Sequence, residues 1–268
     1  MARDTSKLRI AAAGDLHCRL DQHGRFRAFI KHVNAVSDLL LLCGDLTDRG
    51  LADEAKVLAE DLAALRIPCV AVMGNHDYEA GTVKEVCAEL AKANVRVLDG
   101  DHWVFEKVLG VAGVKGFGGG FGKATLQAFG EAPIKAFVQE GVNESLKLEA
   151  ALGQLDTPHR VVITHYSPVD DTLEGENPMI HPFLGTSRLS MPIDYYGAEY
   201  VFHGHAHHGC RQGRTPGGVP VYNVAMPLLA KHTPEQRFVL IEIPLAGEDS
   251  RRVFEERDDA RVDVPTSH

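Results

Sequence analysis

In Leu41-Leu42-Cys43-Gly44-Asp45-Leu46-Thr47-Asp48-Arg49-Gly50 an apolar run breaks at Gly-Asp, and a second Asp and an Arg follow at once. The run 39–43 is too short to span a membrane and long enough for a buried strand. Gly44 permits a sharp turn where that strand stops. Asp45 then stands at the strand's carboxyl end, the side on which open α/β sheets bind ligands. A lone Asp after a strand is usually a cap or turn residue, so its companions carry the weight.

Two companions occur at matched spacing. The apolar run 8–13 leads into Gly14-Asp15, and 69–73 leads into Gly74-Asn75. Residues 15, 45 and 75 recur at about 30-residue intervals, the length of one βαβ unit. Between them, Phe26, Phe29, Ile30, Val33 and Val36 form one helical face, and Leu51, Ala55, Leu58, Leu62 and Leu65 another. A third helix is expected from Thr82, where Thr82-x-x-Glu85 has the form of a capping box. Strand and helix thus alternate, the pattern of a parallel sheet with crossover helices. The helices share no pattern, so the regularity reads as crossover geometry and not as an internal repeat.

Further along, 95–98, 103–109 and 111–114 read as hairpin-like strands. The glycine-rich 116–123 reads as a flexible surface loop. It fails the P-loop pattern at Phe117 and Ala124, and a phosphate contact by Lys123 is the lesser alternative. A helix is expected over 133–155, with Pro133 in its first position. Two more strand ends follow, 160–163 running into Thr164-His165 and 200–202 into His203-Gly204-His205-Ala206-His207-His208. The runs 219–224 and 238–243 close the chain as strands, and the charged tail from Arg251 is expected to fray. No linker divides the chain, so 1–268 reads as one domain. Its polar 170–190 stretch is long enough to be a functional lid or rim and should not be core, with His181 and Arg188 as its expected substrate contacts.

Composition narrows the function. With 268 residues, 44% hydrophobic and 24% charged, the chain can build a sizeable core. A net charge of −9 argues against a non-specific nucleic-acid binder. Five cysteines, an odd number with no CxxC pair, argue for free thiols in a reducing compartment. The N-terminus reads as a polar lead into the first strand and not as a signal peptide. No apolar stretch reaches bilayer length. The expected location is the cytoplasm, with no membrane partner.

The polar residues at strand ends are Asp15, His17, Asp45, Asn75, His165, His205 and His207. Mixed nitrogen and oxygen donors without thiolate suit Mn, Fe, Zn or Co better than Mg or Ca. Seven ligands are too many for one ion with an open position. Two ions sharing a carboxylate fit better, and Asp45 is the natural bridge. Singly, each Asp or His has a commonplace structural explanation; what argues for a site is their joint placement.

Together these motifs resemble the calcineurin-like metallophosphoesterases. They stand here as Gly14-Asp15-Leu16-His17, Gly44-Asp45-Leu46-Thr47-Asp48-Arg49, Gly74-Asn75-His76-Asp77, His165 and Gly204-His205-Ala206-His207. The resemblance covers 8 to about 225 and is closest to the small bacterial-type phosphodiesterases. It implies an α/β fold, a four-layer α/β/β/α sandwich of two mixed β-sheets flanked by helices. It assigns Asp15, His17 and His207 to one metal, Asn75, His165 and His205 to the other, and Asp45 to both. The ions would be divalent or mixed-valence transition metals, Mn, Fe or Zn. The implied reaction is hydrolysis of a small phosphoester by a metal-bridging hydroxide, with a diester favoured over a monoester. His76 would be the general acid. Asp48 would orient it, with Asp77 as an alternative partner, and Arg49 would bind a phosphate oxygen. A cyclic-nucleotide phosphodiesterase is the narrower alternative, and a non-catalytic interaction scaffold on the same fold is the remote one.

Overall fold

The computed structural model describes residues 4–247 together with Asp249 and Val253. The first part of the chain forms β1 (Lys7–Ala13), α1 (Arg27–Val36), β2 (Leu39–Cys43), α2 (Ala52–Leu62), β3 (Cys69–Val72), α3 (Val83–Lys92) and β4 (Val95–Leu98). The middle forms β5 (Asp101–Phe105), β6 (Leu109–Val114), α4 (Ala132–Gly153), β7 (His159–Thr164), α5 (His181–Leu184) and α6 (Ser190–Tyr196). The rest is β8 (Tyr200–His203), β9 (Gln212–Arg214), β10 (Pro220–Asn223), α7 (Met226–His232) and β11 (Val239–Pro244).

Two mixed sheets result. One has the order β11-β1-β2-β3-β4, the other β5-β6-β7-β8-β10-β9. β1 to β4 run parallel, as do β6, β7, β8 and β10, while β11, β5 and β9 are antiparallel edge strands. Side chains alternate across each strand. Leu8, Ile10, Leu39, Leu41, Val70 and Val72 meet Val111, Val161, Ile163 and Phe202 in a core between the sheets. Ala11, Leu40, Leu42 and Ala71 face the other way, packed with Ile30, Leu58 and Leu90 of α1 to α3. Val162 and Val201 face Leu148 and Leu152 of α4 and Ile193 of α6. The layers are therefore helix, sheet, sheet, helix. All five residues of β2 are buried, and each such apolar side chain contributes about 1.5–3 kcal/mol. That is why an uninterrupted apolar run is stable here and nowhere exposed.

Some expectations change. The capping box does not form. Thr82 precedes α3, but its hydroxyl donates to the Gly50 carbonyl at 2.8 Å and no side chain caps the helix. The expected strand 103–109 is broken by Glu106 and Lys107, both with positive φ, which turn β5 into β6 as a hairpin. The glycine-rich 116–123 is a surface loop only at its end, Gly122 and Lys123. Gly116, Gly118, Gly119, Gly120 and Phe121 are buried, and the Gly119 and Gly120 amides donate to Pro182 and Gly185. A Cβ on Gly118 would sit 2.6 Å from the Pro182 carbonyl, so glycine is what lets the two segments meet. The tail from Arg251 lies, Val253 apart, outside the described residues.

Candidate metal centre

The loops after β1, β2, β3, β7 and β8 come together and are stitched by their backbones. Asp15 N–H donates to Gly44 at 2.9 Å, His17 N–H to Asp45 at 3.0 Å, and Gly204 N–H to His165 at 3.2 Å. Four non-glycine residues here, Asp15, His17, Asp45 and His205, have φ of 56°, 45°, 49° and 69°. Left-handed conformations are uncommon for such residues, and strain of this kind gathers at functional sites. Gly44 has φ +81°, and a Cβ there would lie 2.6 Å from His165 Nδ1. The glycine thus admits the imidazole that links the two sheets.

The donor atoms face one another. Asp15 Oδ1 lies 2.8 Å from His207 Nε2 and 4.0 Å from His17 Nε2. Asp45 Oδ1 lies 3.3 Å from His165 Nε2, and its other oxygen lies 3.9 Å from His17 Nε2. Asn75 Oδ1 is 2.9 Å from His165 Nε2, and the His165 and His205 rings are 4.8 Å apart. All seven residues expected as ligands are therefore neighbours. They form groups that could hold metal at Asp15, His17 and His207 and at Asp45, His165 and His205, with a third at His17, Asp45 and His76.

Charge is unevenly spread among them. Burial pushes His205 down to about 3 and also lowers His17. Burial acts downward on His165 too, but the Asp45 carboxylate outweighs it and holds that imidazole at about 9. For Asp45, burial acts upward and is outweighed by His165, so the carboxyl titrates well below its ordinary range. His207 is raised: burial opposes, and its hydrogen bond to Asp15 prevails. His203 is pushed by burial down to about 4 and bonds Thr172 Oγ1 at 2.8 Å behind the site.

The residues around the cluster divide by role. Asp77 is fully buried. Its carboxylate accepts from the amides of Leu46, Thr47 and Gly74 and from the Thr47 hydroxyl. It thus ties the β2 loop to the β3 loop and does not touch His76. Burial and the Asp45 charge push its carboxyl up against the opposing hydrogen bonds from Thr47 and Gly74. His76 Nδ1 is 2.6 Å from the backbone carbonyl of Asp48. Asp48 therefore holds His76 through its main chain, while its carboxylate lies 3.8 Å from His17 Nδ1. Arg49 is exposed and does not line the cavity over the cluster; Asp48, His76, Arg19, Arg25 and Arg237 do. Lys123 is exposed and also absent from that cavity.

The sequence model of the family described as calcineurin-like phosphoesterase matches residues 8–209. The chain belongs to this family. As a calcineurin-like phosphoesterase it shares its fold with phosphopantetheinyl hydrolase from Mycobacterium tuberculosis. The two are 15% identical with a TM-score of 0.63, over 89% of this chain and 97% of the other. GAP50, the anchor in the inner membrane complex of Plasmodium, is 10% identical with a TM-score of 0.51, over 83% of this chain and 72% of the other. A Staphylococcus aureus protein provisionally described as a 5′-nucleotidase is 14% identical with a TM-score of 0.51, over 95% of this chain and 58% of the other. No curated protein matches the sequence.

In this calcineurin-like phosphoesterase, 170–190 is built in more firmly than its polarity implies. Thr172, Leu173, Leu184, Thr186, Leu189 and Ser190 are buried, and Leu173 and Leu184 pack with Phe121 and Ala206. The segment reaches the histidine cluster through the Phe183 carbonyl, which accepts from His205 Nε2 at 3.3 Å. Arg188 does not. Its guanidinium donates to Leu126 and lines a groove beside α4 and α6. His181 is partly buried and does not line the cavity beside Asp15, His17 and His207.

Proposed function

We propose that the chain is a metal-dependent hydrolase of a small phosphoester. The observation that carries this is the disposition of Asp45, whose two oxygens face separate groups of imidazoles, at 3.3 Å and 3.9 Å. The residues fit a pair of metal ions. His17 Nε2 is buried with no hydrogen-bond partner, an arrangement that is costly unless a further group completes it. The donors are carboxylate, amide and imidazole, the set that Mn, Fe and Zn accept. On this reading Asp15, His17 and His207 hold one ion, Asn75, His165 and His205 the other, and Asp45 serves both. Ions so bound neutralise phosphate charge and supply an activated water.

The chain's own groups do the rest. His76 Nδ1–H donates to the Asp48 carbonyl, so a proton for the leaving oxygen can come only from Nε2, with the ring doubly protonated. The carbonyl bond fixes the ring plane without needing the Asp48 carboxylate. Asp77 works at one remove by fixing the two loops that present Asp45 and Asn75. All five cysteines are free, which supports a reducing, cytoplasmic setting. Among the described residues no helix is long and apolar enough to cross a membrane.

The neighbours named as a phosphopantetheinyl hydrolase and provisionally as a 5′-nucleotidase leave diester and monoester chemistry both in play. The motif resemblance favours the diester. The test is hydrolysis of bis-p-nitrophenyl phosphate against p-nitrophenyl phosphate by protein loaded with Mn, Fe or Zn, followed by cyclic nucleotides. Turnover with at least one metal is expected. Tight metal binding with no turnover on any ester would favour a non-catalytic interaction scaffold.

A further inference from the structure

A cavity of about 480 Å³ lies against Asp15, His17, His76 and His207, one side of the proposed metal centre, and a recess of about 310 Å³ shares part of its lining. Arg25, Met226 and Arg237 line both. Beyond them the recess is walled by Phe26, Phe29, His32 and Phe238. Phe26 and Phe238 are buried, while Phe29 and His32 are only partly so and leave ring surface open. His32 meets Phe238 edge to face at 5.0 Å, and Phe29 does so at 5.9 Å. The cavities together are of the size that takes a small-molecule ligand, about 300–1,000 Å³.

The arginines at the junction are short of partners. Arg19, which lines only the larger cavity, has among the described residues one ion-pair partner, Asp48, at 3.8 Å. Among the described residues neither Arg25 nor Arg237 makes an ion pair, and Glu235, which also lines the recess, pairs with neither. Arg25 lies over the Phe26 ring at 5.4 Å. Exposed arginines are commonly just solvated. Two unpaired ones at the mouth of an aromatic recess, beside a phosphate-binding centre in a chain of net charge −9, are a different arrangement. A guanidinium fork matches phosphate geometry, and aromatic faces accept nucleobases by stacking.

We propose that this path takes the leaving group, and that the substrate is a nucleotide carrying a second phosphate: the scissile phosphate at the metal centre, the second between Arg25 and Arg237, and the base against Phe29 and His32, which Phe238 backs. The inference rests on the hydrolase reading above. In the reaction, water oxygen bonds to the scissile phosphorus, the ester P–O bond breaks, and the nucleoside oxygen leaves with a proton.

Adenosine 3′,5′-bisphosphate and adenosine 3′-monophosphate differ only in the second phosphate. The metal-loaded wild type should prefer the bisphosphate at least about tenfold in kcat/KM, the worth of one charged hydrogen bond. The Arg25→Gln/Arg237→Gln variant should lose that preference. Calorimetry on chelated protein gives a second readout. Adenosine 5′-monophosphate should bind the wild type and bind the double variant at least about tenfold more weakly. His32→Ala should weaken that nucleotide and leave inorganic phosphate binding unaltered. If nitrophenyl esters are hydrolysed but the two adenosine substrates are equal, or the double variant keeps the preference, this inference fails alone. If no ester is hydrolysed, the hydrolase reading fails, and nucleotide binding that ignores both arginines then rejects the proposed path as well.

Discussion

Asp77→Ala probes how the site is held without touching any expected ligand. The carboxylate accepts from Thr47 N–H at 2.8 Å, Gly74 N–H at 2.8 Å, Leu46 N–H at 3.2 Å and the Thr47 hydroxyl at 2.6 Å. The hydroxyl can rotate to another acceptor, but the three amides cannot. Each buried donor left unmatched costs about 1–3 kcal/mol. Water entering the vacated volume recovers part of that, so a net loss of about 3–5 kcal/mol is expected. Asp77→Asn gives an internal control. With its NH2 on the Thr47 side, the Thr47 hydroxyl can accept from it, and the remaining oxygen still serves Leu46 and Gly74. Only the Thr47 amide is stranded, for a loss of about 1–3 kcal/mol. Urea denaturation of chelated protein reads both variants free of any contribution from metal. An Ala variant within about 1 kcal/mol of the wild type, or an Asn variant as unstable as Ala, would refute the claim that Asp77 pins the two loops.

Three further outcomes follow from the same geometry. Leu41 is fully buried between the sheets, so Leu41→Ala should cost about 2–5 kcal/mol in chemical denaturation; a change near zero would be at odds with an inter-sheet core. His76→Ala should lower kcat by about 10²–10⁴ with metal content retained. That loss should shrink for acidic leaving groups, and equal losses on nitrophenolate and alkoxide would reject proton donation. Gly44→Ala places a Cβ against His165 at a left-handed position, so calorimetric metal affinity should fall; unaltered affinity would show that the loop can move aside.

Much of this was legible because two periodicities and one turn chemistry act locally. The five residues of β2 are buried on both faces, and such strands read as plain apolar runs. Gly44-Asp45 and its counterparts mark where those runs must turn. Sequence failed where a side chain or loop answers to a distant partner. Thr82 matches a capping box, yet the Gly50 carbonyl takes its hydroxyl. Glycine and polarity marked 116–123 and 170–190 as surface, but the two segments pack on each other, with Gly120 bridged to Thr186 and the Gly119 amide donating to Pro182. Sequence places Asp48 as the residue that orients His76 but cannot say by which atom, and it is the backbone carbonyl that makes the contact. Arg25 and Arg237 precede α1 and β11 and carry no motif, so only the folded chain brings them to one cavity.

The central claim is that Asp45 joins two metal ions. Elemental analysis of reconstituted, gel-filtered protein, wild type beside Asp45→Asn, addresses it most directly. The account predicts two ions per chain in the wild type and no more than one, held more weakly, in the variant. A wild type that saturates at one ion, with Asp45→Asn keeping that ion at full affinity, would contradict it.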